Sequence, residues 1–301
     1  MVVDNSGKGL VRQGDGATCA DTVLEPPLNL GFGAAVNEGF RLSRAPFLAT
    51  LNDDAVAHPG WLAALIGAME SDPEVGMCAS QVRLFEEDQL DSAGMLICAD
   101  GSSKQRGHLS PYEYFATREE VLCPSGSAAL YRRAMLEEIG CFDDDFFLYC
   151  EDTDLGLRAR WAGWKCLYVP EAVVEHRYSR SAGRASPLKA YYVERNRLFV
   201  LVKNFPASLL LRAPFATLAR YAWHVVWMLR GRGAAARFRH EGNSALRMVL
   251  YVFEAHWQML RHGRLLWRKR RAIRRSAKLS TAQFRRLLRA HSIGPRKVAE
   301  L

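Results

Sequence analysis

Residues 121–140 read VLCPSGSAALYRRAMLEEIG, and the order of residue types in this stretch decides the fold class. Ser125-Gly126-Ser127 has turn chemistry, Ala128 to Tyr131 is an apolar run of strand length, and Arg132 to Ile139 has helical spacing that Gly140 terminates. The pattern recurs in residues 151–170, EDTDLGLRARWAGWKCLYVP. Here a helix is predicted over Glu151 to Trp161 with Leu155, Leu157 and Ala159 inside, ended by Gly163. A strand over Lys165 to Val169 follows, with Pro170 as its stop. Strand and helix in alternation predict an α/β domain with a mostly parallel central sheet.

The same grammar extends upstream. Val2 and Val3 read as the end of a strand that runs into the turn cluster Asp4-Asn5-Ser6-Gly7. Gly33 to Ser43 is helical in character, and Pro46 separates it from the apolar run Phe47 to Leu51, which ends in Asn52-Asp53-Asp54. Pro59 suits the first turn of a helix carrying Trp61, Leu62, Leu65, Ile66 and Met69, closed by Asp72-Pro73. Val75 to Val82 is a further strand, and the polar stretch from Glu86 to Thr117 predicts loops with short antiparallel pieces.

A chain of 301 residues with 49% hydrophobic and 24% charged residues excludes a disordered segment, a collagen repeat and a disulfide miniprotein. The net charge of +9 hides a division. Residues 1–202 carry 19 basic and 29 acidic side chains, a balance of −10, whereas residues 203–301 carry 22 and 3, a balance of +19. The two parts are expected to meet different partners, as residues 1–205, an α/β domain, and 206–301, a basic amphipathic helical region. In the second part, Leu209 to Arg230 is apolar but interrupted by Arg212, Pro214 and Arg220. Asn243 is the predicted cap of a helix whose Leu246, Val249, Leu250, Phe253, Trp257 and Leu260 form one stripe, and the basic run Arg261 to Arg271 comes next. Seven cysteines, at 19, 78, 98, 123, 141, 150 and 166, have no paired short spacing, which predicts a reduced, cytosolic setting. Neither a secretion signal nor a membrane span is expected from the sequence.

Polar residues at the ends of apolar strands are the usual ligand contacts of an open α/β sheet. Asn52-Asp53-Asp54 meets that description, and paired carboxylates suit a divalent cation holding a diphosphate, although a helix N-cap before Pro59 explains the local pattern equally well. A second acidic knot, Asp143 to Asp154, mixes carboxylates with aromatics that can raise a carboxyl pKa and make it a usable base. Decoration of a helix start is its plain alternative. His176, at the end of Ala172-Val173-Val174-Glu175, reads as a metal ligand, an acceptor contact or a core histidine. Asn29-Leu30-Gly31-Phe32-Gly33 is only loosely a phosphate cradle.

Taken in order, Val2-Val3-Asp4-Asn5-Ser6, Asn29-Leu30-Gly31-Phe32-Gly33 with Asn37, and Leu51-Asn52-Asp53-Asp54 with Pro59 and Trp61 resemble the opening half of a family 2 glycosyltransferase. Pro124-Ser125-Gly126-Ser127-Ala128, Gly140-Cys141-Phe142-Asp143, Phe146-Phe147, Glu151-Asp152-Thr153-Asp154-Leu155, Arg158, Gly163-Trp164, Val169-Pro170-Glu171-Ala172 and His176 resemble its second half. They are similar in particular to the rhamnosyltransferase-like branch that builds bacterial cell-surface polysaccharides, and Tyr191, Arg195 and Asn196 fit the segment closing that domain. The likeness covers about residues 1–205.

This resemblance implies a GT-A fold, a nucleotide-diphosphate sugar donor, Mg²⁺ or Mn²⁺, inversion at the anomeric carbon, and a lipid-linked or polysaccharide acceptor, with rhamnose as the suggested sugar. It implies that Asp4 contacts the base or ribose, that Asn29 and Gly31 belong to the donor site, and that Asp54 reaches metal and diphosphate. Asp53 stands where the branch commonly has proline, so its role is confined to the donor side. Asp152 would be the general base with Glu151 helping to orient acceptor or base, and His176 would complete the metal site. Ser127, Trp164 and Arg195 would lie on the acceptor side. Family members carry a strand and a helix ahead of the strand that ends at Asp4, so a sheet lacking that first strand and helix, roughly 30 residues, is expected, with weak donor binding.

The tail's charge, mixed with Trp257, Leu265, Leu266 and Trp267, predicts peripheral attachment to the anionic inner face of a bacterial cell membrane. Homo-oligomer formation through the Leu246 to Leu260 stripe is the rival, and no nucleic acid partner is expected because the tail carries no recognisable RNA- or DNA-binding signature. The alternative for the whole chain is a catalytically impaired glycosyltransferase-like protein that acts in partner binding.

Overall fold

The computed structural model describes residues 1–14, 20–177 and 186–301; Cys19 lies outside them. The chain opens with β1 (Val2–Val3), a short helix α1 (Leu10–Gln13) and β2 (Val23–Leu24), followed by α2 (Phe32–Leu42), β3 (Phe47–Leu51), β4 (Ala55–Ala57) and α3 (Trp61–Ser71). β5 (Val75–Leu84) leads into the short strands β6 (Leu90–Ser92), β7 (Met95–Ile97), β8 (Ser103–Gln105) and β9 (Glu119–Glu120). Then come β10 (Ala128–Arg132), α4 (Arg133–Ile139), α5 (Glu151–Trp161) and β11 (Lys165–His176). The remainder is helical: α6 (Pro187–Asn204), α7 (Ala207–Leu210), α8 (Ala213–Leu229), α9 (Gly233–His240), α10 (Ala245–Arg261), α11 (Gly263–Arg275), α12 (Thr281–Ala290) and α13 (Pro295–Glu300).

The main sheet has the order β3-β10-β5-β11-β4, with β6 beside β5 and β9 beside β11. It is mixed, which corrects the mostly parallel sheet expected from the alternation of elements. Only β5 and β11 run parallel, while β10 is antiparallel to both β3 and β5. The physical reason is the connection over residues 85–127, which doubles back through short antiparallel pairs and delivers β10 from the opposite end of the sheet. β1 and β2 form a separate parallel pair, and β10 is the only described strand hydrogen-bonded to β3.

Pro170 does not stop its strand. β11 continues to His176 through a register shift between Val169 and Val173, so the proline falls in a bulge, where its missing N–H is tolerated. The bend divides β11 between two partners, β9 before it and β4 after it.

Side chains alternate across the sheet with the period of a strand. Cys78, Val82, Ala128, Leu130, Val169 and Val174 pack with Trp61, Leu65 and Met69 of α3 on one face. Met77, Ala79, Ala129, Tyr131 and Tyr168 pack with Leu155, Leu157 and Trp161 of α5 on the other. That second core also takes in Phe199 and Val200 of α6, Leu266 and Ile273 of α11, and Phe284 and Leu288 of α12. Trp161 stacks on Phe284 at 3.7 Å between ring centroids, and the Arg274 guanidinium lies 3.5 Å from the Trp161 centroid. The basic region is thus anchored to the α/β layer by its apolar side.

Asn243 is not the cap of α10. Ser244 holds that place, its hydroxyl accepting from Leu246 N at 3.2 Å, while Asn243 donates back to the Phe238 carbonyl. The six described cysteines form no disulfide. Among the described residues no helix is long and apolar enough to cross a membrane.

Candidate active site

Three loops close on one another at the start of α5. Asn5 and Asn29 clasp the first: Asn5 Oδ1 accepts from Leu30 N at 2.9 Å, Asn29 Oδ1 accepts from Gly31 N at 2.9 Å, and Asn5 Nδ2 donates to the Gly31 carbonyl at 3.0 Å. Gly31 has φ +82°, and a Cβ there would lie 2.0 Å from the Phe147 carbonyl oxygen. Only glycine permits that approach, and the next amide, Phe32 N, donates to the same oxygen at 2.9 Å.

The segment it meets is strained. Phe147, Tyr149 and Cys150 all have positive φ, of 62°, 69° and 66°. Side chains other than glycine pay roughly 1–2 kcal/mol for each such residue, so the surroundings must hold the backbone in place. Asn196 does most of this: its single amide group donates to the carbonyls of Phe146, Leu148 and Tyr149 at 2.7–2.8 Å. Arg195 adds two bonds, to the Asp145 and Phe146 carbonyls at 2.7 and 2.8 Å.

The held segment delivers Glu151 and Asp152 at the first turn of α5. Asp152 is partly exposed, and its Oδ2 accepts from Gly126 N at 3.0 Å while Oδ1 accepts from Thr153 N at 2.6 Å. Burial raises its pKa, and these hydrogen bonds offset the rise only in part. Glu151 is buried, its Oε2 has no partner among the described residues, and burial together with the neighbouring Asp152 pushes its pKa well up. Two adjacent carboxyls of this kind do not both ionise easily, and Asp152 is the accessible one.

The second acidic turn, Asn52-Asp53-Asp54, is tied to the same 125–127 loop that Asp152 touches. Asn52 N donates to the Ser127 carbonyl at 2.9 Å, one residue from the Gly126 amide bound by Asp152. Asp54 Oδ1 lies 3.0 Å from His176 Nε2, and the other ring nitrogen of His176 lies 2.8 Å from Asp91 Oδ2. His108 Nδ1 in turn approaches Asp91 Oδ1 at 3.3 Å. Burial would lower the His176 pKa, but hydrogen bonds to Asp54 and Asp91 outweigh it and raise it to about 9. Asp91 and His108 were not singled out by sequence reasoning; the signal was a carboxylate inside a short strand of the polar 86–117 stretch.

This donor set suits a hard divalent cation in one respect and conditionally in another. Asp54 supplies a carboxylate, while His176 becomes a ligand once its Nε2 proton is displaced, with Asp91 holding the ring by the opposite nitrogen. The described residues contain no cluster of three or more His, Cys, Asp or Glu placed as ligands, so oxygens of a bound diphosphate would have to complete the sphere.

The other expected site residues have separate places. Asp53 is exposed on the turn. Asp4 is buried, with Oδ1 accepting from Ser6 and Oδ2 from Val11 N at 2.8 Å, contacts that lower its pKa and shape the loop after β1. Ser127 is buried in the shared loop with its hydroxyl 3.0 Å from that of Ser125. Trp164 lies apart from Asp152. It follows the C-terminal end of α5, about 15 Å of helix away from Asp152, and donates to Glu138 at 2.9 Å. Arg195 supports the strained segment. Asp143 is paired to Lys203 and Lys269 and Asp145 to Lys269, while Asp144 Oδ1 accepts from Asn37 Nδ2 at 2.8 Å.

Residues 1–199 match the family model described as glycosyltransferase-like family 2. The chain is 33% identical over 195 residues, 56% of its length and 64% of the relative's, to N-acetylglucosaminyl-diphospho-decaprenol L-rhamnosyltransferase of Mycobacterium tuberculosis. It is 28% identical over 271 residues to the pre-mycofactocin glycosyltransferase of the same organism, covering 85% of this chain and 56% of that one. The chain therefore spans somewhat over half the length of these relatives. Among solved structures it resembles GalNAc-T7 with UDP, GalNAc and Mn²⁺, at a TM-score of 0.52 and 16% identity over 66% of this chain and 39% of that one, a likeness of fold.

Proposed function

The chain belongs to glycosyltransferase family 2, and from that premise we propose that it moves a sugar from a nucleotide-diphosphate donor to a hydroxyl of a lipid-linked or polysaccharide acceptor, inverting the anomeric configuration. One observation carries this reading: Asp152 and the Asp54 turn are hydrogen-bonded to adjacent residues of the 125–127 loop, which gives the cleft a proton acceptor on one side and an anion-handling pair on the other. Asp152 takes the proton of the attacking hydroxyl, its raised pKa making it a stronger base than an ordinary aspartate. Asp54 and His176 would hold a divalent cation, which would supply charge neutralisation to the departing diphosphate. The Asn5–Asn29–Gly31 clasp orders the loop facing the donor, and Asp4 fixes the turn beneath it. Rhamnose is favoured as the sugar by the likeness to the mycobacterial rhamnosyltransferase. Incubation with a panel of nucleotide sugars and a prenyl-diphosphate-linked N-acetylglucosamine is expected to yield a disaccharide of inverted configuration by NMR. Retention of configuration, or no turnover with any donor, would overturn the reading.

The acceptor reading extends to the membrane. Phe253, Trp257 and Leu260 of α10 are 69%, 59% and 65% exposed, and α11 beyond them offers Arg264, Trp267, Arg268, Arg271 and Arg275 around an open groove of about 610 Å³. Apolar side chains bordered by arginines suit the cytoplasmic face of an anionic bilayer, where a prenyl-linked acceptor resides. The protein is expected to float with phosphatidylglycerol-containing vesicles at about 0.15 M salt, and the Phe253→Glu, Trp257→Glu variant to stay at the bottom of the gradient. Equal flotation of both proteins would refute the surface.

The isolation of the β1–β2 pair from the main sheet favours a second reading, in which donor binding is weak and the protein acts by binding a partner. Micromolar binding of a pyrimidine nucleoside diphosphate with Mn²⁺ in a calorimetric titration would exclude it.

A further inference from the structure

A pair of hydroxyls stands behind the carboxylate assigned as base. Thr153, fully buried in the first turn of α5, carries a hydroxyl that reaches two acceptors among the described residues, Ser103 Oγ of β8 at 2.9 Å and Asp152 Oδ1 at 3.2 Å. It has one hydrogen to give, so one acceptor is served at the expense of the other. The same Asp152 oxygen also accepts from Thr153 N at 2.6 Å, and its partner oxygen accepts from Gly126 N at 3.0 Å.

Ser103 is held in a braced turn. β8 pairs with β7 so that Ser103 lies opposite Ile97, and Cys98 N closes the intervening turn by donating to the Ser102 carbonyl at 2.7 Å. Asp100 fixes the turn from inside: Oδ1 accepts from Ser102 N at 3.1 Å and Oδ2 from Arg220 Nε of α8 at 2.6 Å, while its carbonyl accepts from Arg197 Nη1 of α6 at 3.0 Å. Gly101 has φ +86°, and a Cβ there would lie 2.5 Å from the Arg197 carbonyl oxygen, so the turn sits directly on α6. Glu194 accepts from both Arg197 and Arg220, which keeps the two buried guanidinium groups compensated. Ser103 thus meets Thr153 at a place set by α6 and α8.

We propose that Ser103 is a positioning residue for the base: its oxygen is the second acceptor for the Thr153 hydroxyl, which donates to Asp152 while that carboxylate is charged and turns to Ser103 when Asp152 has taken a proton. The inference rests on the transferase reading and adds a residue to its machinery. A carboxylate outranks a hydroxyl as an acceptor and a protonated carboxyl does not, so the hydrogen bond moves in the sense the chemistry requires. No proton passes along the pair. The O–H bond that breaks is that of the attacking hydroxyl, the one that forms is on Asp152, and Thr153 keeps its own hydrogen.

The two hydroxyls act on the base with opposite signs. Without Ser103, the buried Thr153 hydroxyl has only Asp152 to serve, which favours the charged carboxylate and makes a weaker base. Without the Thr153 hydroxyl, the carboxylate loses a donor, which favours its protonated form. The titratable groups that bear on Asp152 are Glu151 beside it, Tyr131 of β10, and the thiols of Cys123 and Cys150. Burial raises the pKa of each, and no ion pair reaches Asp152 among the described residues.

The test is the pH profile of kcat/KM together with a ¹³C NMR titration of the Asp152 carboxyl in the full-length protein. Ser103→Ala is expected to move the acid limb and the carboxyl titration to lower pH by about half a unit or more and to lower kcat by about 2- to 10-fold, with both KM values within about twofold. Ser103→Cys, which keeps the volume and offers a poorer acceptor, is expected to move them the same way. Thr153→Val is expected to move them to higher pH, and Thr153→Ser to restore the position of the unmodified protein. Circular dichroism of each variant reports the fold. A folded Ser103→Ala protein whose titration is unmoved or shifted upward overturns the proposal, and lost stability with an unmoved acid limb reduces Ser103 to a structural contact. Opposite shifts of the carboxyl titration in a protein that transfers no sugar would uphold the hydroxyl pair while the transferase reading failed.

Discussion

Asp152→Asn is expected to lower kcat by about 100- to 10,000-fold, the range that general-base catalysis contributes, while nucleoside diphosphate affinity stays within about threefold. The substitution keeps the shape of the side chain and one of its two acceptor oxygens, so one of the bonds from Gly126 N and Thr153 N is kept and the other is lost, and circular dichroism of the variant reports the fold. What is lost is the proton acceptor. Because burial raises the Asp152 pKa, the folded enzyme keeps the proton to a higher pH than the 3.8 of an ordinary aspartate, and activity rises with pH as that proton leaves. The acid limb of kcat/KM therefore sits above pH 3.8 and disappears in the variant. The sign for stability is opposite: a carboxyl with a raised folded-state pKa stabilises the fold while protonated, and that contribution is lost as pH rises through the raised value. A variant with kcat within tenfold of the unmodified protein would remove Asp152 from the mechanism.

Asn196→Ala is expected to destabilise the protein by about 2 kcal/mol or more and to reduce turnover without touching a substrate group. Its amide serves the carbonyls of Phe146, Leu148 and Tyr149; Phe146 keeps its bonds from Arg195 and Leu148 N, so the Leu148 and Tyr149 carbonyls lose this donor, at roughly 1–3 kcal/mol for each left without one. Phe147, Tyr149 and Cys150 would then lose the main restraint on their positive φ, and the residues that follow them are Glu151 and Asp152. Relaxation of that segment displaces the base, so kcat falls while donor affinity, set on the opposite side of the cleft, holds. Chemical denaturation with parallel kinetics checks both parts. An Asn196→Ala protein of ordinary stability and full kcat would show that the segment needs no external restraint.

Much of this was legible in the sequence, for identifiable reasons. α5 was predicted at its observed limits because Glu151 to Trp161 combines an acidic first turn with a glycine stop at Gly163, and β3 because Phe47 to Leu51 is bounded by Pro46 and Asn52. Strand direction was not legible: Ala128 to Arg132 has the same composition in a parallel or an antiparallel ladder, and only the route of residues 85–127 decides. Pro170 misled because a proline ends a regular strand but is at home in a bulge. In the site, Asp54, Asp152 and His176 stood at strand or helix ends and could be named. Asp91 and Ser103 could not, because they lie in short strands whose pairing brings them to the cleft from a stretch with little periodicity, and His108 could not, because it lies in the turn that follows β8. Asn196 was visible only through the likeness to the segment that closes the domain, and its three carbonyl partners lie 47–50 residues earlier with no local pattern to announce them.

The most direct test is the position of a bound metal in crystals grown with a nucleoside diphosphate and Mn²⁺, read from an anomalous difference map. The expected peak lies beside the Asp54 carboxylate and His176 Nε2, with Asp91 still holding the opposite ring nitrogen and the Asp152 carboxylate across the same cleft. A peak among the acids at 143–145, or a nucleotide seated with Asp152 on the far side of the sheet, would contradict it.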